Sequence, residues 1–156
     1  MLDYLLNVVK LSSHVNEKSP EDNHKNLLHI AAENGNDRII FELAGNEPGY
    51  GADVNAVDDH GNTPLHLAAY QSKDSAARFL LSLGADLEAK NHNGETPLHM
   101  AVRAQNLRTT KDLLLKGANR DARSNKGMYP IDLLTTVQDR RLLKAFKKAL
   151  VSNAKS

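Results

Sequence analysis

Histidine has the widest chemical use of the residue types in this chain, because imidazole binds metals and carries protons near neutral pH. The sequence holds seven histidines and no cysteine. His60 and His92 each stand beside a glycine turn, and their approach is the easiest to envisage. No further histidine or carboxylate joins them at the spacing of metal ligands. We therefore expect neither a metal site nor a metal cofactor.

Nucleophilic catalysis and nucleotide binding find equally little support. Serine, histidine and aspartate are plentiful, but none lies in the sharp strand-to-helix turn that exposes a catalytic serine. The Asn-Gly and Gly-Ala-Asp segments are typical of turns, and the lysine of a phosphate-binding loop is missing. The sequence thus predicts a protein that is not an enzyme and that binds no cofactor or small-molecule substrate.

A repeated segment organises the chain instead. Residues 62–69 read Asn-Thr-Pro-Leu-His-Leu-Ala-Ala, and residues 96–102 repeat this segment from its threonine onwards. Residues 129–134 are a weaker copy that follows at the same step, and residues 26–32 are a further copy that precedes the first at a slightly longer one. Two series of glycines keep the common step: Gly61, Gly94 and Gly127, and Gly51, Gly84 and Gly117. A step of about 33 residues is typical of a stacked solenoid.

The residue types within the unit predict its local structure. Pro64 suits the first turn of a helix, where its missing N–H has no helical partner, and Thr63 can cap the free N–H groups. Gly84 suits the left-handed residue that ends a second helix, and Gly61 the tip of a tight turn. Each unit therefore reads as a helix, a short turn, a second helix and a hairpin.

Thr-Pro-Leu-His followed by Gly-Ala-Asp at this spacing resembles the ankyrin repeat family. The resemblance implies an all-α solenoid of helix-turn-helix units joined by short β-hairpin loops. It also implies that His66 and His99 are structural, forming hydrogen bonds that tie each repeat to its neighbour.

The boundaries follow from the period. We expect a single domain over residues 1–156, divided into an N-terminal helix and loop (1–21), four repeats of which the first and last are degenerate caps (22–57, 58–90, 91–123 and 124–150), and a tail (151–156).

Three local features outside the regular pattern carry their own expectations. Residues 1–13 place apolar side chains at helical spacing and predict a capping helix. The insertion at 46–50 predicts a bulged loop with an exposed Tyr50. Thr109 and Thr110 replace two alanines of the preceding unit, which predicts softer packing there.

The last helix is expected over residues 139–150. Its apolar side chains at Leu142, Leu143 and Phe146 match core positions of the earlier units. Lys147 stands where those units have leucine, which makes sense if nothing stacks beyond it. This helix is therefore expected to close the C-terminal end of the stack.

Charge is distributed unevenly along the chain, although the net charge is only +1. Residues 1–58 carry 4 basic and 10 acidic side chains, residues 59–102 carry 3 and 5, and residues 103–156 carry 13 and 4. The net charges are therefore −6, −2 and +9. In a solenoid such a gradient runs along the molecule, and it favours an acidic partner for the C-terminal third.

The repeat leaves one strip free of packing duties, and the family resemblance places this strip on a concave face. It comprises turn residues and the ends of the first helices, whose identities vary while the framework repeats. We name these residues the recognition strip: Val57, Asp59, His60, Asn62, Tyr70, Gln71, Lys90, His92, Asn93, Glu95, Arg103, Gln105, Arg123, Asn125, Lys126 and Met128. Tyr70, Arg103 and Met128 are the preferred anchors, because aromatic and arginine side chains dominate interface energies.

The expected function is non-catalytic binding of a protein or peptide, with an acidic one favoured, by a monomeric module. One alternative is a docking or autoinhibitory domain of a larger enzyme, channel or secreted effector. Another is binding of anionic membrane or nucleic acid by the basic third, which lacks supporting aromatic side chains.

The location expected from the sequence is intracellular. The absence of cysteine agrees with the cytoplasm, and the nucleus or delivery into a host cell are alternatives. The apolar run at residues 5–9 is too short to span a membrane.

Overall fold

The computed structural model describes residues 14–45, 50–134 and 140–153. This part of the chain contains seven α-helices and one short 3₁₀ helix. In chain order they are α1 (Leu27–Asn34), α2 (Asp37–Ala44), α3 (Pro64–Tyr70), α4 (Asp74–Ser82), α5 (Pro97–Arg103), α6 (Leu107–Leu115), the 3₁₀ helix (Pro130–Leu133) and α7 (Arg140–Asn153).

The helices form two layers. In the first layer α1, α3, α5 and the 3₁₀ helix stack in order, and in the second layer α2, α4, α6 and α7 do the same. A continuous core of leucines and alanines runs between the layers. Within the described residues there is no strand, and an isolated bridge joins Ser19 to Lys25. The architecture is the all-α repeat solenoid that the sequence predicts.

The first helices begin as expected, and their caps use histidine. Thr63 is the N-cap of α3, and Pro64 is its first residue. The backbone N–H of Thr63 donates to Nδ1 of His66, 3.1 Å away, so the histidine completes the cap from three residues inside the helix. The same bond of 3.1 Å joins Thr96 to His99.

The second helices share one register. Helices α4, α6 and α7 begin at Asp74, Leu107 and Arg140, which are one repeat period apart. Leu80, Leu113 and Phe146, which are separated by the same interval, are all buried. Equivalent positions on these three helices therefore face the same way, whether buried or exposed.

The turns adopt the left-handed backbone that their glycines allow. Gly61 and Gly94 have φ values of 73° and 70°. His24, which replaces the glycine of this series in the first repeat, keeps the same conformation with φ 53°. The turn geometry is thus preserved where its preferred residue is absent.

Several sequence expectations need correction. Tyr50 is half-buried against the core, not exposed. The first helix of the fourth unit is reduced to the 3₁₀ turn Pro130–Leu133, and α7 extends to Asn153. Leu143 is 39% exposed although its equivalent Thr110 is fully buried, because α7 packs over Thr110 and no described helix packs over Leu143.

Two expectations concern residues that the structure does not describe. The capping helix at 1–13 and most of the insertion at 46–50 lie outside the described residues. Lys147, in contrast, is described and exposed, as expected for the last helix of the stack.

Candidate functional site

The turn tips of successive repeats are bonded to one another by their backbones. Asp59 N–H donates to Asn23 O, His92 N–H to His60 O and Asn125 N–H to Asn93 O, each at 2.9 Å. One amide therefore fixes each tip relative to its predecessor. The tips form a single row that contains much of the recognition strip.

Side chains brace each turn from inside. Oδ1 of Asp58 accepts from the N–H groups of His60 (2.9 Å) and Asn62 (2.8 Å). Asn91, at the equivalent position, accepts from Asn93 and Glu95, both at 3.0 Å. Sequence reasoning missed this role, although an Asp or Asn three residues before a turn glycine is a recognisable signal for a turn braced by its side chain.

Most of the recognition strip is on the surface. Asn62 and Met128 are half-buried, and Glu95 is buried. The other residues of the strip are exposed: Val57, Asp59, His60, Tyr70, Gln71, Lys90, His92, Asn93, Arg103, Gln105, Arg123, Asn125 and Lys126.

Glu95 and Arg103 are paired with each other. Nη2 of Arg103 donates to Oε1 of Glu95, and Glu95 retains only 8% of its surface. Glu95 is therefore buried in this pair, although the sequence places it in a strip that is free of packing duties. Part of the Arg103 charge is therefore neutralised within the protein.

A second cluster lies at the basic end of the strip. The guanidinium of Arg123 lies over the ring of Tyr129, 4.8 Å from its centroid, and also donates to the Tyr129 hydroxyl. Lys90 reaches the same place, since its ammonium donates to the Arg123 backbone carbonyl at 3.0 Å. Lys126 is exposed nearby in sequence and enters no ion pair in the part of the chain described. Lys90, Arg123 and Lys126 therefore make this end of the strip cationic.

The exposed apolar side chains of the strip lie at the end of the first repeat and in the second. Tyr70, the last residue of α3, is 46% exposed, and Val57 is 41% exposed. Met128, the third preferred anchor, is half-buried, and its carbonyl accepts a hydrogen bond from His99 at 3.1 Å. Tyr70 is thus the anchor whose side chain is most available.

Buried histidines support the row of tips from below. Nε2 of His29 lies 2.9 Å from Asn62 O, and Nε2 of His66 lies 3.0 Å from Glu95 O. Each bond runs from one repeat to the turn of the next, as the family resemblance implies. Burial lowers the pKa of His29, His66 and His99 below the usual value, so these imidazoles stay neutral. Their role is structural.

Metal-ligand clusters and membrane-spanning helices are both missing from the described residues. Within residues 14–45, 50–134 and 140–153, no group of three His, Asp or Glu side chains is arranged to hold a metal ion. His60 and His92 adjoin through their backbones, but a third ligand does not join them there. In the same ranges no helix has the length and apolar character needed to cross a membrane.

Comparison with known families agrees with this architecture. A model of three consecutive ankyrin repeats matches residues 1–91, and a model of a single ankyrin repeat matches residues 93–125. No curated protein gives a sequence match to the chain. Ankyrin repeats are typically non-catalytic binding modules. The family models together cover most of the chain, which therefore belongs to the ankyrin repeat family, whose repeats generally mediate protein–protein interaction.

Proposed function

We propose that this chain is a non-catalytic module that binds a protein or peptide partner across its recognition strip. The observation that carries the proposal is the bonding of each turn tip to the next through a backbone amide. Such a row presents its side chains in fixed positions. The module therefore loses little conformational entropy when it binds a partner.

The strip divides into two regions with different chemistry. The apolar contact comes from Val57 at the end of the first repeat and Tyr70 in the second. The cationic contact comes from Lys90, Arg123 and Lys126, at the ends of the second and third repeats and in the fourth. A matching partner carries an apolar side chain at one end and carboxylates at the other. This arrangement gives the partner one orientation along the solenoid.

The experiment is an affinity capture with three versions of the protein, followed by identification of the bound proteins and measurement of the affinity for each. The strip variant carries Val57→Ser and Tyr70→Ser. The control variant carries Arg38→Ala on α2, a side chain that is 89% exposed and distant in sequence from the strip. A partner retained by wild type and control but lost by the strip variant supports the proposal, and equal retention by all three contradicts it.

The cationic region is tested by charge reversal. Lys90→Glu, Arg123→Glu and Lys126→Glu together are expected to weaken binding of the identified partner, and binding by wild type is expected to decrease as salt rises. Adding Arg103→Glu should have a smaller incremental effect, because Glu95 already pairs with Arg103. Affinity that does not change with salt would rule out the acidic partner.

A further inference from the structure

A second charged surface lies on α4, α6 and α7, in the second layer of helices. Tyr70 and Arg103 of the recognition strip end helices of the first layer. The second surface is formed by exposed cations at equivalent positions of α4, α6 and α7. We name it the basic ridge: Arg78, Lys111 and Lys144 in one row, Arg108 and Arg141 in another. Members of a row are one repeat period apart, and the two rows lie three positions apart on α6 and α7.

The shared register of the three helices sets these cations in line. Ala76, Thr109 and Leu142 are buried at equivalent positions, as are Leu80, Leu113 and Phe146. Because both sets of buried residues are in register, the exposed positions between them, Arg78, Lys111 and Lys144, are in register as well. Helices packed side by side are about 10 Å apart, so each row places its positive charges at about that interval.

Only part of this charge is compensated. Arg78 lies 3.9 Å from the carboxylate of Asp112, and Arg108 lies 3.9 Å from that of Asp74. Both carboxylates are half-buried, and Asp74 also accepts a hydrogen bond from Thr109 at 2.9 Å. Lys111, Arg141 and Lys144 form no ion pair within the described residues. The ridge therefore carries a surplus of three positive charges.

An apolar side chain stands beside them. Leu115 is 79% exposed, the highest value among the exposed large apolar side chains of the described residues. It follows Lys111 by four residues, which places both on one face of α6. The equivalent residue of α4 is Ser82, so nothing in the repeat requires a leucine at this position.

We infer that the basic ridge is a second docking surface, which binds an acidic helix of a protein partner. Seven residues of α-helix span about 10 Å, so carboxylates repeated every seven residues match the spacing of the rows. An apolar side chain on the same face of that helix contacts Leu115. The described ridge offers no aromatic side chain for stacking nucleic-acid bases, and one exposed leucine gives little insertion into lipid.

The probe is a synthetic helical peptide of about 20 residues, long enough to cross the rows. It carries glutamates on one face at seven-residue intervals with a leucine between them. A control peptide has the same composition with its glutamates distributed around the helix. Fluorescence anisotropy at low salt is expected to show tighter binding of the first peptide. Equal binding of both peptides would overturn the inference, because it would indicate attraction by net charge alone.

The protein variants locate the binding. The ridge variant Lys111→Glu, Arg141→Glu and Lys144→Glu is expected to bind the probe more than about tenfold less tightly. The matched control reverses three cations of the strip, with Lys90→Glu, Arg123→Glu and Lys126→Glu, and is expected to bind it nearly as wild type does. Equal losses in the two variants would overturn the inference. The two triple changes also separate this surface from the recognition strip, since each surface has its own variant.

Two further measurements complete the test. Leu115→Ser introduces the residue that α4 has at the equivalent position, Ser82. It is expected to lower the affinity for the probe a few-fold by removing the apolar contact, and unchanged affinity would contradict that contact. Vesicles with phosphatidylserine and a single-stranded oligonucleotide are titrated in parallel, and tighter binding of either through the ridge would replace the protein partner by lipid or nucleic acid. If circular dichroism shows that the ridge variant is unfolded, the glutamine triple at the same positions takes its place.

Discussion

His66 Nε2 lies 3.0 Å from the backbone carbonyl of Glu95, and this bond joins the second repeat to the turn of the third. Nδ1 of the same ring accepts from the Thr63 N–H at 3.1 Å, so the remaining ring proton is on Nε2 and is donated to the carbonyl. One neutral imidazole thus caps its own helix and holds the next turn. A second proton on Nδ1 would face the Thr63 N–H and break the cap.

Replacing His66 by alanine is therefore expected to destabilise the protein by about 3 kcal/mol, since two buried backbone groups lose their partner and a cavity forms. The measurement is the free energy of unfolding in urea. His92→Ala is the matched control, because His92 is exposed and its turn is held by backbone bonds; its expected change is within about 0.5 kcal/mol. Equal effects of the two substitutions would contradict the structural role of His66.

Stability is expected to decrease as the pH falls below about 6.5. Burial lowers the pKa of His29, His66 and His99 in the folded state, so the unfolded chain binds more protons in the window below the ordinary histidine value. Near pH 8 both states are almost entirely neutral, and these groups then contribute little pH dependence. The slope cannot exceed about 4 kcal/mol per pH unit for three sites. Urea titrations between pH 8 and 5 measure it, and a free energy of unfolding that stays constant over this range would contradict the prediction.

Gly94→Ala is expected to cost more than Gly84→Ala. Both glycines have left-handed backbones, with φ 70° and 87°. A Cβ on Gly94 would lie 2.7 Å from the backbone nitrogen of Asn125, whereas nothing lies within 4 Å of one on Gly84. Gly84→Ala therefore bears the backbone strain alone, about 1 kcal/mol, and Gly94→Ala also displaces the next turn. Thermal unfolding of the two variants compares the costs, and a greater loss for Gly84→Ala would be inconsistent with contact between the tips.

The two adjacent threonines of α6 are expected to respond in opposite directions. Both are fully buried, but Oγ1 of Thr109 donates to Asp74 at 2.9 Å while Oγ1 of Thr110 has no partner among the described residues. Thr110→Val removes an unsatisfied hydroxyl and should raise the free energy of unfolding by about 1 kcal/mol, and Thr109→Val should lower it by a similar amount. Urea unfolding of each variant provides the measurement, and losses from both would show that the hydroxyls are equivalent. The softer packing predicted from this pair remains a prediction.

The sequence alone determined the repeat and its local geometry. The start of α3 is set by Thr63 and Pro64, and the turn tips are set by glycine. These residues act through their own backbone conformations, so their structural role can be inferred from the local sequence. The buried columns of α4 and α6 follow in the same way from the period of the repeat.

Only the tertiary structure decided which charges and apolar groups remain available. Arg103 looks like a free anchor until Glu95, eight residues away, is brought against it. Leu143 matches a core position in register, yet it is exposed because burial depends on a further helix packing over it. Whether a side chain is available for binding depends on its neighbours in space. Spacing along the chain identifies the equivalent positions of each repeat but does not show which of their side chains are already buried or paired.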